Sequence, residues 1–380
     1  MTCCPLFSKK RDSSANRTVG IHEEVSGIQN TKLFTYRELQ FATDNFNGAN
    51  KIGEGGFGSV YKGQLRDGTM AAVKVLSADS RQGVREFLTE IDVIADIEHK
   101  NLVKLHGCCV EGNHRILVYG YLENNSLART LLGGHDSSIQ FNWETRYRIC
   151  IGVAKGLVFL HEEVQPHVVH RDIKASNILL DKNLDPKISD FGLAKLFPDH
   201  LTHVSTRVAG TAGYLAPEYA IRGQLTRKAD IYSFGVLTLE IVSGRANMNK
   251  YLPVGDQSLL ERAWKLYVKG ELLDLVDKSL CGDYNAEEAR RFLKIGLMCT
   301  QEETKRRPYM SVVVKMLMGE IAVEDDEISR PCLLPCLFGK NISDTMSDGA
   351  AKQSDSSSSS GNIITSYATM TFNSIYDRSN

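Results

Sequence analysis

Apolar residues recur with two different periods in this chain of 380 residues, and the periods come in one order. Between Ala49 and Leu76 two short β-like runs flank a glycine cluster, and a third run, Met70 to Leu76, follows an Asp67-Gly68 turn. Such spacing spells a β-meander. Arg85 to Ile97 then sets Phe87, Ile91, Ile94 and Ala95 at helical spacing, which predicts a helix packed on that sheet. From Trp143 onward long amphipathic segments take over, at 143–162, 230–242, 259–269, 286–300 and 309–320. The expected class is α+β, a small β-rich lobe with one main helix followed by a larger helical lobe. Residues 1–32 and 323–380 are expected to be disordered flanking segments, the second with Ser354 and Ser356 to Ser360 clustered.

Composition removes several classes. Lys plus Arg (45) against Asp plus Glu (46) gives a net charge of −1, without the basic excess that marks non-specific nucleic-acid binding, so no nucleic acid is expected as a partner. The nine cysteines are an odd, irregular set and imply reduced thiols rather than a disulfide framework. No apolar run approaches the roughly 18 residues of a membrane span.

The chemistry starts at Gly53-Glu-Gly-Gly-Phe-Gly58-Ser-Val60. Glycine clusters also make hairpin turns for steric reasons alone. Here a strand, Ser59 to Leu65, follows the glycines, which suits a loop folding over phosphates and donating backbone N–H groups. Sixteen residues past Gly58, Lys74 interrupts an apolar strand, and Glu90 lies sixteen residues further on, on the helix. A second series runs His170-Arg-Asp172-Ile-Lys174-Ala-Ser-Asn177, then Asp190-Phe-Gly192, then Ala216-Pro-Glu218. An isolated Asp-Phe-Gly is a common turn. The whole series, in this order and with these gaps, is not a coincidence.

Over roughly residues 46–322 the chain resembles the eukaryotic protein kinases, which implies their bilobal fold, an N-lobe at about 46–119 and a C-lobe at about 120–322, within a kinase region of 33–322. The resemblance implies ATP and Mg²⁺ as cofactors and proteins as substrates. Phosphoryl transfer is mainly positioning and charge neutralisation, and the residue types fit those tasks. By resemblance, Gly53, Gly55 and Gly58 cover the phosphates, Lys74 holds the α and β phosphates, and Glu90 fixes the lysine's direction. Ile52, Val60 and Ala72 above and Leu179 below would contact the adenine, with Tyr119 as gatekeeper. Asn177 and Asp190 supply hard oxygen ligands for Mg²⁺. Asp172 orients the attacking hydroxyl and accepts its proton, and Lys174 stabilises charge near the transferring phosphate. His170 has a structural role in the family, packing with Phe191, Ile94 and Leu105.

Lys174 two residues after Asp172, and Gly210-Thr211 before Tyr214-Leu-Ala-Pro-Glu218, resemble serine/threonine kinases, with dual specificity as the alternative. The stretches Leu33 to Phe46, His99 to Gly112 and Leu122 to Leu127 are similar to the plant receptor-like kinase and Pelle group. With no spanning segment, the expectation is a cytoplasmic member of that group, acting below a receptor kinase. Thr18 to Glu24 and Phe372 to Arg378 are similar to one particular member of it. Cys3 and Cys4, beside Lys9, Lys10 and Arg11, suggest a lipid anchor at the plasma membrane, or are idle tail residues. Arg171, next to the catalytic base, is expected to be an unpaired charge until phosphate on Thr206 or Ser205 meets it. Thr211 is expected to bond near Asp172 and Lys174. Two further readings stay open here: a kinase-fold binding module with weak catalysis, and a small-molecule phosphotransferase, which would not need the segment ending at Glu218.

Overall fold

Alternation along Met70–Leu76 sets the layers of the first unit. Ala71 and Val73 are fully buried on one face, while Ala72, Lys74 and Leu76 project from the other, as the two-residue period of a strand requires. A computed structural model describes residues 31–55, 58–77, 81–133, 139–198, 201–249 and 257–331. The chain packs as two units, the first running through Asp96 and taking up Lys104–Tyr121, the second taking Ile97–Val103 and the chain from Leu122 onward.

The first unit is a six-stranded sheet of β1 (Lys32–Leu33), β2 (Lys51–Gly55), β3 (Gly58–Gln64), β4 (Met70–Leu76), β5 (Leu105–Glu111) and β6 (His114–Gly120). Their order is β1-β5-β6-β4-β3-β2, antiparallel except that β1 lies parallel on β5. Helix α1 (Tyr36–Ala42) starts at a capping box, in which Thr35 accepts the Glu38 N–H and Glu38 accepts that of Thr35. Its Leu39, with Phe34, joins Ala71, Val73, Cys109, Ile116 and Val118 in one apolar cluster. Lys32 therefore belongs to the sheet rather than to a flanking tail. Helix α2 (Arg81–Ile94) lies about three residues earlier than the sequence spacing suggests, because a Gln82 to Glu86 side-chain bond extends its first turns. Gly58 is required by close approach: a Cβ there would stand 2.0 Å from the Val75 carbonyl oxygen.

The second unit holds α3 (Trp143–Val158), β7 (His167–Val169), β8 (Ile178–Leu180), β9 (Pro186–Ile188), β10 (Lys195–Phe197) and β11 (Val204–Ser205). After them come α4 (Pro217–Arg222), β12 (Gln224–Leu225), α5 (Arg227–Ser243), α6 (Leu259–Lys269), α7 (Ala286–Cys299) and α8 (Met310–Met318). Asn142 caps α3 by accepting the Thr145 N–H, and the helix runs into a wider five-residue turn over Phe159–Glu163. Helix α5 corrects an expectation. It is buried on every side from Ala229 to Ser243 rather than amphipathic, and its polar residues are all internally bonded. The folded part also extends past residue 322: Ile328 is buried, Ser329 bonds Gln301, and Asp325 pairs with Lys294 at 2.8 Å.

Among the described residues, Cys108, Cys109, Cys150, Cys281 and Cys299 are free thiols. Burial pushes the Cys108, Cys109 and Cys299 thiols up to about 12, so they act as small apolar groups. No helix among the described residues is long and apolar enough to cross a membrane. Cys3, Cys4 and the serine cluster lie outside the described residues.

Helices α5 and α7 cross where neither has room for a side chain. A Cβ on Gly235 would meet Cys299 Cβ and the Gly296 carbonyl oxygen at 2.7 Å. Gly235→Ala is expected to destabilise the protein by about 1–3 kcal/mol, lowering the denaturant midpoint without changing the slope.

Candidate active site

The first unit gathers one group of the expected residues. In register, Val60 stands opposite Lys74 and Lys74 opposite Leu117, while Ala72 stands opposite Tyr119. Val60, Ala72, Lys74 and Tyr119 thus share one face of the sheet. Ile52 sits where the β2 register shifts between Lys51 and Gly53, and Gly55 pairs with Gly58 across the loop; residues 56 and 57 lie outside the described ones. Helix α2 brings Glu90, fully buried, to form an ion pair with Lys74, itself only 5% exposed. Tyr119 donates its hydroxyl to the other Glu90 oxygen. The sequence spacing pointed to the ion pair but not to this phenol, which is legible only once β6 is paired with β4.

The second unit gathers the other group, around a loop held from beneath. Asp230, at the start of α5 and fully buried, accepts the backbone N–H of His170 at 2.7 Å and that of Arg171 at 2.8 Å. His161 Nε2 bonds the same carboxylate at 3.0 Å. Burial is the largest influence on Asp230 and pushes its pKa up, yet His161 and the His170 N–H together hold it below the usual carboxylate value. The anchor stays charged. His170 accepts the Asp172 N–H on Nδ1, bonds Ser189 O through Nε2 at 3.1 Å, and meets Phe191 edge-on with centroids 4.8 Å apart.

Asp172 is bonded on both oxygens. Oδ1 accepts the Thr211 hydroxyl at 2.7 Å, and Oδ2 accepts Lys174 Nζ at 2.8 Å and Asn177 Nδ2 at 3.1 Å. Lys174 also donates to Thr211 Oγ1 at 2.8 Å, which closes a ring of three side chains. Because the Asn177 amide nitrogen is committed to Asp172, its amide oxygen is the atom it can offer a hard cation. Ser189 binds the Asn177 carbonyl through both N–H and hydroxyl, so the next residue, Asp190, is held beside Asn177. Asp190 has a left-handed backbone, φ 67°, as does Arg171 at φ 71°, and such values in non-glycine residues persist only where surroundings enforce them. Two oxygen donors of this kind suit Mg²⁺, which is held by few protein ligands alongside phosphate. Leu179 lies in β8, half-buried, opposite Lys187.

The segment from Leu201 to Glu218 differs from expectation at one point. Arg171 meets no anion among the described residues but is not idle: it donates to the Tyr219 hydroxyl, to Leu193 O at 3.0 Å and to Arg207 O at 2.8 Å. All these acceptors are neutral. Ser205 is exposed in β11, Thr206 is half-buried with its N–H on Gly223 O, and neither side chain is recorded against Arg171. Below the segment, Glu240 accepts the Tyr214 hydroxyl on both oxygens and the Asn247 N–H. Burial lifts the Glu240 carboxyl to about 7 in spite of these bonds. Glu218 forms a bidentate pair with the buried Arg307, 2.8 Å on each arm.

The comparisons agree with this geometry. A sequence model of the protein tyrosine and serine/threonine kinase family matches residues 46–317. The chain is 65% identical over 336 residues to Cold-responsive protein kinase 1 of Arabidopsis thaliana, covering 88% of this chain and 85% of that one. It is 56% identical to a probable LRR receptor-like serine/threonine-protein kinase of the same plant, covering 84% of this chain but 31% of that longer one. The match along most of the chain and the ring around Asp172 lead to one conclusion: the chain belongs to the protein kinase family, among kinases similar to the receptor-like serine/threonine kinases of plants.

Proposed function

We propose that the chain transfers the γ-phosphate of ATP, with Mg²⁺, to serine and threonine hydroxyls of protein substrates, relaying a signal below a membrane receptor kinase. The observation that carries this reading is the Asp172–Lys174–Thr211 ring. A threonine hydroxyl already donates to Asp172 Oδ1, so the carboxylate is oriented to accept a hydroxyl proton, and Oδ1, unlike the doubly bonded Oδ2, keeps lone-pair capacity for a second hydroxyl. Lys174 holds positive charge 2.8 Å from that carboxylate, from where it would stabilise negative charge on the transferring phosphate. Lys74, aimed by Glu90, would pair with the α and β phosphates, while Ile52, Val60, Ala72, Tyr119 and Leu179 would supply contacts to the base and Gly53, Gly55 and Gly58 backbone N–H groups. Asn177 and Asp190 would hold Mg²⁺, which supplies charge neutralisation on phosphate oxygens when bound.

Three expectations follow. Lys74→Met and Asp190→Asn should each lower phosphate transfer to a generic protein acceptor by at least about a hundredfold, and the purified variants should keep the parent's melting temperature to within a few degrees. Undiminished labelling by either one would end this reading. Asp172→Asn should lose turnover comparably while its ATP affinity stays within about threefold of the parent's, since it touches the hydroxyl and not the nucleotide.

The second expectation concerns control by phosphate on Thr206 or Ser205. Among the described residues the Arg171 charge is met by neutral oxygens alone, and Lys195 lies nearby in sequence, so a phosphate there would add charge-assisted bonds. Phosphorylated parent should turn over about tenfold faster than phosphatase-treated parent, the equivalent of one such bond, and the Ser205→Ala/Thr206→Ala double variant should match the treated parent. Equal rates in all three would exclude this control.

Third, Cys3 and Cys4 with Lys9, Lys10 and Arg11 would anchor the protein at the cytoplasmic face of the plasma membrane if the thiols are acylated. A Cys3→Ser/Cys4→Ser variant expressed in plant cells should move from the membrane to the soluble fraction, and co-fractionation with the parent would refute lipid anchoring.

A further inference from the structure

The segment that precedes Ala216-Pro-Glu218 is tied down along its backbone. Val204 and Ser205 pair with Leu225 and Gln224, and the Thr206 N–H bonds Gly223 O at 3.0 Å. Thr211 bonds Asp172. Between these two fixings lie residues 207–210, of which Arg207 and Ala209 are held by the side chains of Tyr219 and Arg171. Tyr219 Oη accepts the Ala209 N–H at 3.0 Å and donates to Arg207 O at 3.2 Å. The same oxygen accepts Arg171 Nε at 3.0 Å and Nη2 at 2.5 Å, and Arg171 Nη2 also reaches Arg207 O at 2.8 Å.

The three groups therefore close a ring: guanidinium to phenol, phenol to carbonyl, carbonyl back to guanidinium. Both ends of it are rigid. Arg171 has its backbone fixed by Asp230 and stands next to Asp172. Tyr219 is 1% exposed on α4, whose first turn is pinned by the Glu218–Arg307 pair. A phenol can serve two lone pairs and one proton, and this one has a partner for each. Removing the oxygen alone would leave an arginine, an amide N–H and a carbonyl short of partners, whereas the ring's packing would survive.

We infer that the Tyr219 hydroxyl is a positioning group that holds residues 207–209 on Arg171, keeping Thr211 and Asp172 in register before any phosphate arrives. Resting on the transfer activity proposed above, it gives the unphosphorylated protein its basal turnover, and phosphate on Thr206 or Ser205 adds to an arrangement already formed.

The test uses the full chain, phosphatase-treated, as parent and as Tyr219→Phe. The treated parent should show measurable turnover; Tyr219→Phe should lower kcat about tenfold with KM for ATP within about twofold, because the nucleotide contacts are untouched. Amide exchange, read independently of activity, should rise about tenfold over residues 207–211 while α5 amides stay as slow as in the parent, which reports that the fold is kept. Arg171→Met should accelerate the same amides, and the effect of the double variant should fall short of the sum of the two single ones, since the two side chains bond each other and share the Arg207 carbonyl. Exchange over 207–211 unchanged in Tyr219→Phe, or additive losses in the double variant, would overturn the inference. A treated parent with no turnover beside an active phosphorylated parent would also overturn it while leaving the kinase reading intact. No transfer by any form, phosphorylated parent included, would instead sink the kinase reading and with it the basal-turnover role, and the exchange data would still decide the positional link.

Discussion

A buried carboxylate with two backbone N–H groups on it is the constraint on which the loop carrying Asp172 depends. Asp230 sits at the first turn of a helix that is enclosed on all sides, so its position is as fixed as the core itself. The His170 and Arg171 amides it accepts stand immediately before Asp172. Arg171 consequently takes a left-handed backbone that an unsupported chain would avoid. Leaving those two amides and the carboxylate without partners in a dry interior would cost several kcal/mol, and that asymmetry makes the loop geometry robust. Asp172, Lys174, Asn177 and Thr211 then need only short side-chain bonds among themselves.

The first unit solves a related problem with a different device. Lys74 and Glu90 are both almost wholly buried, and their contact with each other helps make each charge tolerable. Strand period places Lys74 on the face toward α2, and helix period returns Glu90 to the same face. Tyr119 occupies the second Glu90 oxygen, which leaves the carboxylate little freedom to swing away from the lysine. A phenylalanine in its place would leave that oxygen to find another donor or none.

How much of this is legible in sequence depends on whether the signal is local. Met70–Leu76 and Leu259–Lys269 have the bounds that their periodicity gives, because alternation and amphipathic stripes are properties of the segment itself. Motif order likewise identified the residues of the Asp172 ring, although the sequence could only say that Thr211 lies near. Three things were not readable. Helix α5 carries no polar face because it has no exposed face, so its internal Asp230, Ser233, Thr238 and Glu240 resemble an amphipathic pattern, while Asp230, Ser233 and Glu240 answer bonds from elsewhere and Thr238 bonds Phe234 O within the helix. Arg171 was expected to wait for an anion, since its actual partners, Leu193, Arg207 and Tyr219, come from 22 to 48 residues away. The β1–α1 segment was legible as a family signature, but not as a sixth strand and an apolar plug on the sheet.

Two carboxylates on α5 show why burial alone does not decide charge. Asp230 and Glu240 are both enclosed, and burial is the largest influence on each, pushing upward. Asp230 ends below its usual value because an imidazole and backbone amides face it, whereas Glu240 ends at about 7 because its donors are one phenol and one amide. For a carboxyl raised in the folded state, the stabilising contribution is fully present below the unfolded value near 4.5 and is lost as pH rises through about 7. The carboxylate under the Asp172 loop thus stays charged, while the one under Tyr214 changes charge near neutrality. Burial lifts the Tyr214 phenol well above its ordinary value, and the Glu240 charge lifts it further, so the proton stays on the phenol and the hydrogen bond to Glu240 persists in either state of the carboxyl. One helix thus gives the two loops different electrostatic supports, a fixed charge beneath Asp172 and a titrating one beneath Tyr214.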